Sequence, residues 1–374
     1  MARGELRPGV IVLLFLFLLV PSAIGSQEKW RGVVIKEGDM TVVKNPGNPI
    51  YKTPILELKE DLSLGGPRAL ADYAFGSVNS VIVDDQGSIY ILDSKNYRVQ
   101  VFDASGQYLR TIGRKGQGPG DLDSPLYLSL NRTSGELLVL QGYRRLSFFR
   151  TDGTFVRQLD INNSFRAQVD SRGQVYLIEQ TRSKEGEWSF DVKKLSKFGT
   201  NLGVLASVPG QGYTGKLNPF LAVNTFQVDR FDNLIYGDRR TYELKFFDPS
   251  EGKLFKKVMR DYAAIPVSEE DKAKELEKIP PEARSYSSYV FPRYYPVFRT
   301  FFLSDLGHIF VRTYEKTGDE RFVYDIFDAE GRFIGRMPLR LSGVTILNGK
   351  YYAIEEDADG FQYLKRYAVT WKVK

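Results

Sequence analysis

Residues 78–113 read VNSVIVDDQGSIYILDSKNYRVQVFDASGQYLRTIG. The stretch holds four short β-rich runs. Two of its breaks are tight polar turns, Asp84-Asp85-Gln86-Gly87 and Asp103-Ala104-Ser105-Gly106. Alternating apolar residues flank each turn, the pattern of a β-hairpin. Four antiparallel strands of this size make one blade of a propeller.

The same phrase returns along the chain. Its second hairpin recurs as VFDASG ending at Gly106, FFRTDG at Gly153, KLSKFG at Gly199, FFDPSEG at Gly252 and IFDAEG at Gly331. A first hairpin precedes each, turning at Gly87, Gly135, Gly173, Asn233 and Gly307, and the two turns of a unit lie 18–26 residues apart. Five complete units result. A sixth is cut short: residues 343–354 form a first hairpin at Asn348-Gly349, residues 361–369 a third strand, and the chain then ends. The missing fourth strand is expected from the other terminus, where ILELKEDLSLG (55–65) stands alone before the first unit. Such a closure removes the open sheet edges that invite aggregation. The expected fold is all-β, a six-bladed β-propeller of four-stranded antiparallel blades whose last blade is closed by an N-terminal strand.

Asp93-Ser-Lys-Asn96-Tyr-Arg98-Val-Gln-Val-Phe102-Asp103, followed by Gly116-Gln-Gly-Pro-Gly120-Asp-Leu, resembles the NHL repeat. Over roughly residues 30–370 the chain resembles the bacterial secreted six-bladed β-propeller proteins, which share the segment VVIKEGDMTVVKNP and the strand ILELKEDLSLG. The resemblance implies fold and export more than chemistry.

The N-terminus agrees with export. Arg3 and Arg7 precede an apolar run over residues 10–20, then Pro21, Ser22 and the small-residue site Ala23-Ile24-Gly25. This is the layout of a cleaved signal peptide, and the run is about half the ~20 residues a membrane span needs. The expected organisation is a signal peptide over 1–25, an N-terminal extension over 26–54 and the propeller over 55–374, as a secreted or periplasmic monomer. Cysteine is absent, so no disulfide framework supports the fold. The formal net charge is +6, and removing Arg3, Arg7 and Glu5 with the leader makes it +5. A basic exported protein points to an acidic protein or an anionic polysaccharide as partner, rather than to nucleic acid.

One segment breaks the repeat. Ser268-Glu-Glu-Asp271 has the form of a helix start, KAKELEKI follows, and Pro280-Pro281 ends it, giving a short surface helix near 268–279. The aromatic run Tyr286, Tyr289, Phe291, Tyr294, Tyr295 and Phe298 comes next. It either pins the excursion to the propeller or offers a stacking platform.

Blade topology converts loops into geography. The hairpin turns share one face, and the loops after the second and fourth strands share the other, which collects the long irregular segments 66–77, 114–124, 209–224 and 261–297. Function concentrates on irregular loops carried by a rigid scaffold. After the second strands stand Arg98; Arg144 and Arg145; Arg182 and Lys184; Arg239 and Arg240; Arg312 and Lys316. Blade six reverses the sign with Glu355, Glu356, Asp357 and Asp359. Arg98 is assigned to the repeat framework. The candidate ligand-binding residues are Arg144, Arg145, Arg182, Arg239, Arg240, Tyr242, Arg312 and Tyr314, arginine being suited to bidentate recognition of carboxylate, sulfate or phosphate.

Catalytic chemistry finds little support. Several propellers of this shape are enzymes, and the NHL-type amidating lyases hold a metal with several histidines. Here His308 is the single histidine, so neither a zinc site of the usual kind nor a nucleophilic triad is indicated. No catalytic or metal residue is assigned and no cofactor expected. Calcium is the one ion with candidate ligands, at Asp357-Ala-Asp359-Gly360 and Asp229-Arg-Phe-Asp232, and turn-forming aspartate accounts for both. The alternative to a binding or scaffold protein is a hydrolase or lyase using carboxylates.

Overall fold

The computed structural model describes residues 29–67, 72–210, 216–220, 225–284, 288–318, 321–339 and 342–373. The signal peptide expected over 1–25 and Tyr286 lie outside the described residues. Blade one is Val78–Val83, Ile89–Asp93, Arg98–Phe102 and Tyr108–Ile112; blades two, three and five repeat it over residues 125–160, 164–209 and 300–339. Every pairing within these four-stranded sheets is antiparallel. The innermost strands Val78–Val83, Pro125–Asn131, Ser164–Val169, Thr225–Val228, Thr300–Leu303 and Ser342–Leu347 neighbour one another in a closed cycle. The expected architecture is therefore present, a six-bladed ring.

The ring closes as the sequence implies. Leu56–Gly65 pairs antiparallel with Gln362–Trp371 as the fourth strand of blade six. Gln362 also reaches into blade one, its Oε1 accepting the Val78 N–H at 2.6 Å.

Each of the six buried apolar clusters lies between two neighbouring blades. In blade one, Ile89 and Ile91 face blade six, while Tyr90 and Leu92 face blade two. Both faces of a middle strand are thus covered. This is why IYIL reads as an unbroken apolar run, whereas the outer strand Tyr108–Ile112 alternates in burial.

The turns follow from local chemistry. Asp84 Oδ1 accepts the N–H groups of Gln86 and Ser88, and Asp103 Oδ1 those of Ser105 and Gln107. Gly87 and Gly106, both at φ 86°, take the left-handed position. In blade four that position belongs to Asp232 (φ 67°), one residue before the expected Asn233.

The N-terminal extension is structured where it is described. Val33–Glu37 and Met40–Asn45 form a hairpin, and Met40–Asn45 adds parallel to Leu254–Arg260, so the sheet of blade four has six strands. Asn45, 3% exposed, fastens this strap. Its amide donates to the carbonyls of Met259 and Gly331 at 3.0 and 2.9 Å, and its Oδ1 accepts from Phe333 N and Trp30 Nε1 at 2.7 and 3.0 Å. The chain then crosses blade five, where Ile50 and Tyr51 donate to the carbonyls of Phe333 and Ile334, before entering blade six.

Candidate functional site

The inner strands enclose an axial channel of about 960 Å³. Its polar lining centres on Gln168, whose Nε2 donates to Gln227 Oε1 at 2.8 Å and to the Tyr127 hydroxyl at 3.1 Å. Arg166 donates to the same hydroxyl at 2.8 Å and lies over the Tyr127 ring. Among the described lining residues, carboxylates occur only in the turns at the hairpin mouth, such as Asp85, Asp170, Asp229, Asp232 and Asp305. The channel interior thus presents amides, hydroxyls and one guanidinium, groups that hold a ligand and do not exchange protons near neutral pH.

At the hairpin mouth a belt of hydrogen bonds runs from blade to blade. Arg132 pairs with Asp85 at 2.9 Å, Asn131 donates to Ser171 O, and Ser171 donates to Asp232. Arg230 donates to Asp305 O, Asn348 N donates to Asp305 Oδ2, and Asn348 Nδ2 returns to Asp85 O. These side chains hold the ring together.

The opposite face carries the long loops, and there the charge gathers over blades four and five. Arg239 donates to Phe298 O at 2.9 Å and to the Tyr314 hydroxyl at 2.7 Å. Arg299 lies 5.5 Å from the centroids of both the Tyr314 and Phe322 rings. Arg312 sits 3.7 Å above Phe322, and Lys316 lies 5.4 Å from that ring. Burial, with the Arg299 charge adding to it, lowers Arg239 against the pull of its Tyr314 hydrogen bond; burial and Arg299 lower Arg312 likewise. Four cations thus crowd two aromatic rings. Asp319 and Glu320, which follow Lys316 in sequence, lie outside the described residues.

The aromatic run supports this cluster. Tyr295 stacks on Tyr314 at 4.3 Å, and Phe220, from the 209–224 loop, meets Tyr295 edge-on at 4.7 Å. Phe291 also packs on Phe220, and Phe298 is fully buried against Tyr242. Gly237 makes room for it, since a Cβ there would lie 2.9 Å from the Phe298 ring. The run therefore pins the excursion, whose helix Glu269–Glu277 is capped by Ser268 as expected and is followed by a short turn of helix over Pro281–Arg284.

The predicted residues divide. Arg239, Arg312 and Tyr314 come together. Arg144 is exposed on its loop, Arg145 faces Asp160 at 3.6 Å, and Arg182 lies over Trp188. Arg240 is instead held on both oxygens of Asp238, at 3.1 Å each, which uses the fork an external anion would need. Tyr242 leaves the set altogether. It is 1% exposed, adopts a left-handed φ of 48° and donates its hydroxyl to Asp325, which makes it a packing residue between blades four and five. Arg98 is a framework residue, bound to Asp93 and to Ala74 O. Arg299 carries no such signal in the sequence, because it precedes an inner strand, away from the loops that follow second strands.

The calcium candidates serve as turns. Asp357 accepts from Asp359 N, Phe361 N and the Tyr363 hydroxyl, and Asp229 from Phe231 N, Asn233 N and Asn233 Nδ2. No cluster of three or more His, Asp or Glu side chains of metal-holding geometry occurs among the described residues.

A family model described as "6-bladed beta-propeller" matches residues 71–205, which cover blades one and two and most of blade three. The fold is that of a six-bladed propeller. The Drosophila melanogaster protein brain tumor is 34% identical over 110 residues; the match covers 28% of this chain and 11% of that protein, so the chain spans about a tenth of its curated relative. Among solved structures, a Bacteroides fragilis protein described as exported superposes with a TM-score of 0.52 at 12% identity, covering 89% of this chain and 100% of that one. A member of the DUF4221 family from Bacteroides vulgatus gives 0.52 at 12% identity over 84% and 99%. At such identities the likeness shows the fold alone. Among the described residues no helix is long and apolar enough to cross a membrane.

Proposed function

We propose that the protein is an exported binding propeller that takes an acidic partner, an anionic polysaccharide or an acidic protein surface, on the face bearing the long loops. The NHL-type framework around Asp93 and Arg98, the leader-like N-terminus and the exported Bacteroides neighbour support the repeat type and the location. One observation carries the binding site: Arg239, Arg299, Arg312 and Lys316 converge on Tyr314 and Phe322. Stacking on a ring fixes a guanidinium plane, and a planar guanidinium matches the geometry of a carboxylate or sulfate. Like charges gathered at low solvation gain from an added anion. Arg144 and Arg182 extend the basic arc over blades two and three, and the acidic loop of blade six bounds it.

The test is direct binding of the purified mature chain to carboxylated and sulfated polysaccharides, with neutral dextran as reference. Binding to the charged polymers that weakens steeply with salt supports the reading, since exposed charge is screened beyond about 8 Å at physiological ionic strength. Equal affinity for dextran, or binding indifferent to salt, removes its basis.

A further inference from the structure

The three most exposed large apolar side chains among the described residues are Phe198, Phe231 and Leu306, at 73%, 69% and 59%. All three occupy the same place. Each is the third residue of a hairpin turn in which the first residue's N–H bonds the carbonyl after the turn and the fourth residue's N–H bonds the first residue's carbonyl: Ser196 with Thr200, Asp229 with Asn233, Ser304 with His308. Sister turns of identical bonding put Gln86, Ser105, Asp152, Arg172 or Glu330 there. The turn itself therefore asks for nothing apolar at its tip. The three exceptions fall on consecutive blades, three, four and five, and on one face, opposite the arginine cluster.

We infer that these tips anchor the hairpin face to a lipid bilayer with anionic headgroups. Single side chains raised on separate turns, with polar residues between them, do not make the continuous patch that a folded protein surface packs against. A fluid interface receives each of them independently. Two carry the pairing of aromatic body and cation that favours the headgroup boundary: Lys197 Nζ lies 5.0 Å from the Phe198 ring, and the Arg230 guanidinium 5.1 Å from that of Phe231. Within these turns Asp232 accepts from Ser171 and Asp305 from the Asn348 N–H. In this orientation the loop face points away from the bilayer.

The experiment is co-sedimentation of the mature chain with vesicles of phosphatidylcholine, with and without phosphatidylglycerol. The wild type is expected to pellet with the mixed vesicles. The triple variant F198S/F231S/L306S is expected to lose that binding, by about tenfold for each aromatic removed, while melting as the wild type does. Q86S, at the same turn position on blade one, is expected to bind as the wild type. Absence of wild-type binding, or equal binding by the triple variant, overturns the inference. So does concentration-dependent self-association in solution that the triple variant abolishes, which would make the tips a contact between copies of the chain.

Discussion

Gln362 of blade six bonds Val78 of blade one through its side chain at 2.6 Å, while its own strand pairs with Leu56–Gly65. The first and last parts of the chain are thus joined twice, across a sheet and across a blade boundary. Deleting residues 29–66 exposes the edge of Gln362–Trp371 and strips the covering strands from blade four. The expected product aggregates on size exclusion. A soluble monomer with an unchanged melting curve would contradict the closure.

The C-terminal end matters more than its position suggests. Trp371 pairs with Leu56 and stacks on His308 at 4.3 Å. Truncation after Val369 removes that ring, so a drop in Tm of several degrees is expected rather than a silent change. Circular dichroism melts decide it.

Asn45 is the fastening of the N-terminal strap, and all four of its bonds reach main-chain or indole groups of other segments. Asn45→Ala leaves buried partners unsatisfied and should cost about 3 kcal/mol in urea unfolding. Asn45→Asp turns a carboxylate towards the carbonyls of Met259 and Gly331 and should be no milder. A loss under about 0.5 kcal/mol for both would show that the strap is not held there.

His308 supplies a pH dependence with a definite sign. Burial lowers its pKa, against the weaker opposing pull of Asp328, Glu330 and Asp305. The unfolded chain therefore takes up the proton first, near the ordinary value of about 6.5. Stability is complete above that pH and is lost as pH falls from about 6.5 through the lower folded value. As the chain has one histidine, His308→Phe, which keeps a ring against Trp371, should flatten Tm between about pH 7.5 and 5.5 relative to wild type. Parallel slopes in the two proteins would contradict this.

Much of the fold was legible because its information is local and repeated. A side-chain acceptor at the first position, most often aspartate, and usually a glycine at the left-handed position mark the hairpins, and counting hairpins counts blades. The missing strand of blade six pointed to residues 55–65 by simple deficit. The strap was not legible. Residues 33–45 show two β-rich runs around Glu37-Gly38-Asp39, a hairpin signal, but their partner Leu254–Arg260 is distant in sequence and parallel, and nothing local names it. The candidate site was half legible for a similar reason. Loop position found Arg239, Arg312 and Tyr314, yet it could not tell that Asp238 already holds Arg240 or that Asp325, 83 residues away, takes Tyr242. Composition gives charge, and only the folded chain shows which charges are already answered.

The loop face, through its arginine cluster, is proposed to receive an anionic partner. The most direct measurement is the affinity of one sulfated polysaccharide for the wild type and for two sets of substitutions. The loop set is Arg144→Gln, Arg182→Gln, Arg299→Gln and Arg312→Gln; the hairpin set is Lys197→Gln and Lys253→Gln, which spares Asp85 and Arg230 of the interblade belt. Charge-assisted hydrogen bonds to a ligand contribute about 1.5–3 kcal/mol each, so the loop set should weaken binding at least tenfold. The hairpin set should leave it unchanged, and both proteins should still melt cooperatively. Equal weakening by the two sets, or weakening by the hairpin set alone, would place the partner elsewhere and contradict the account.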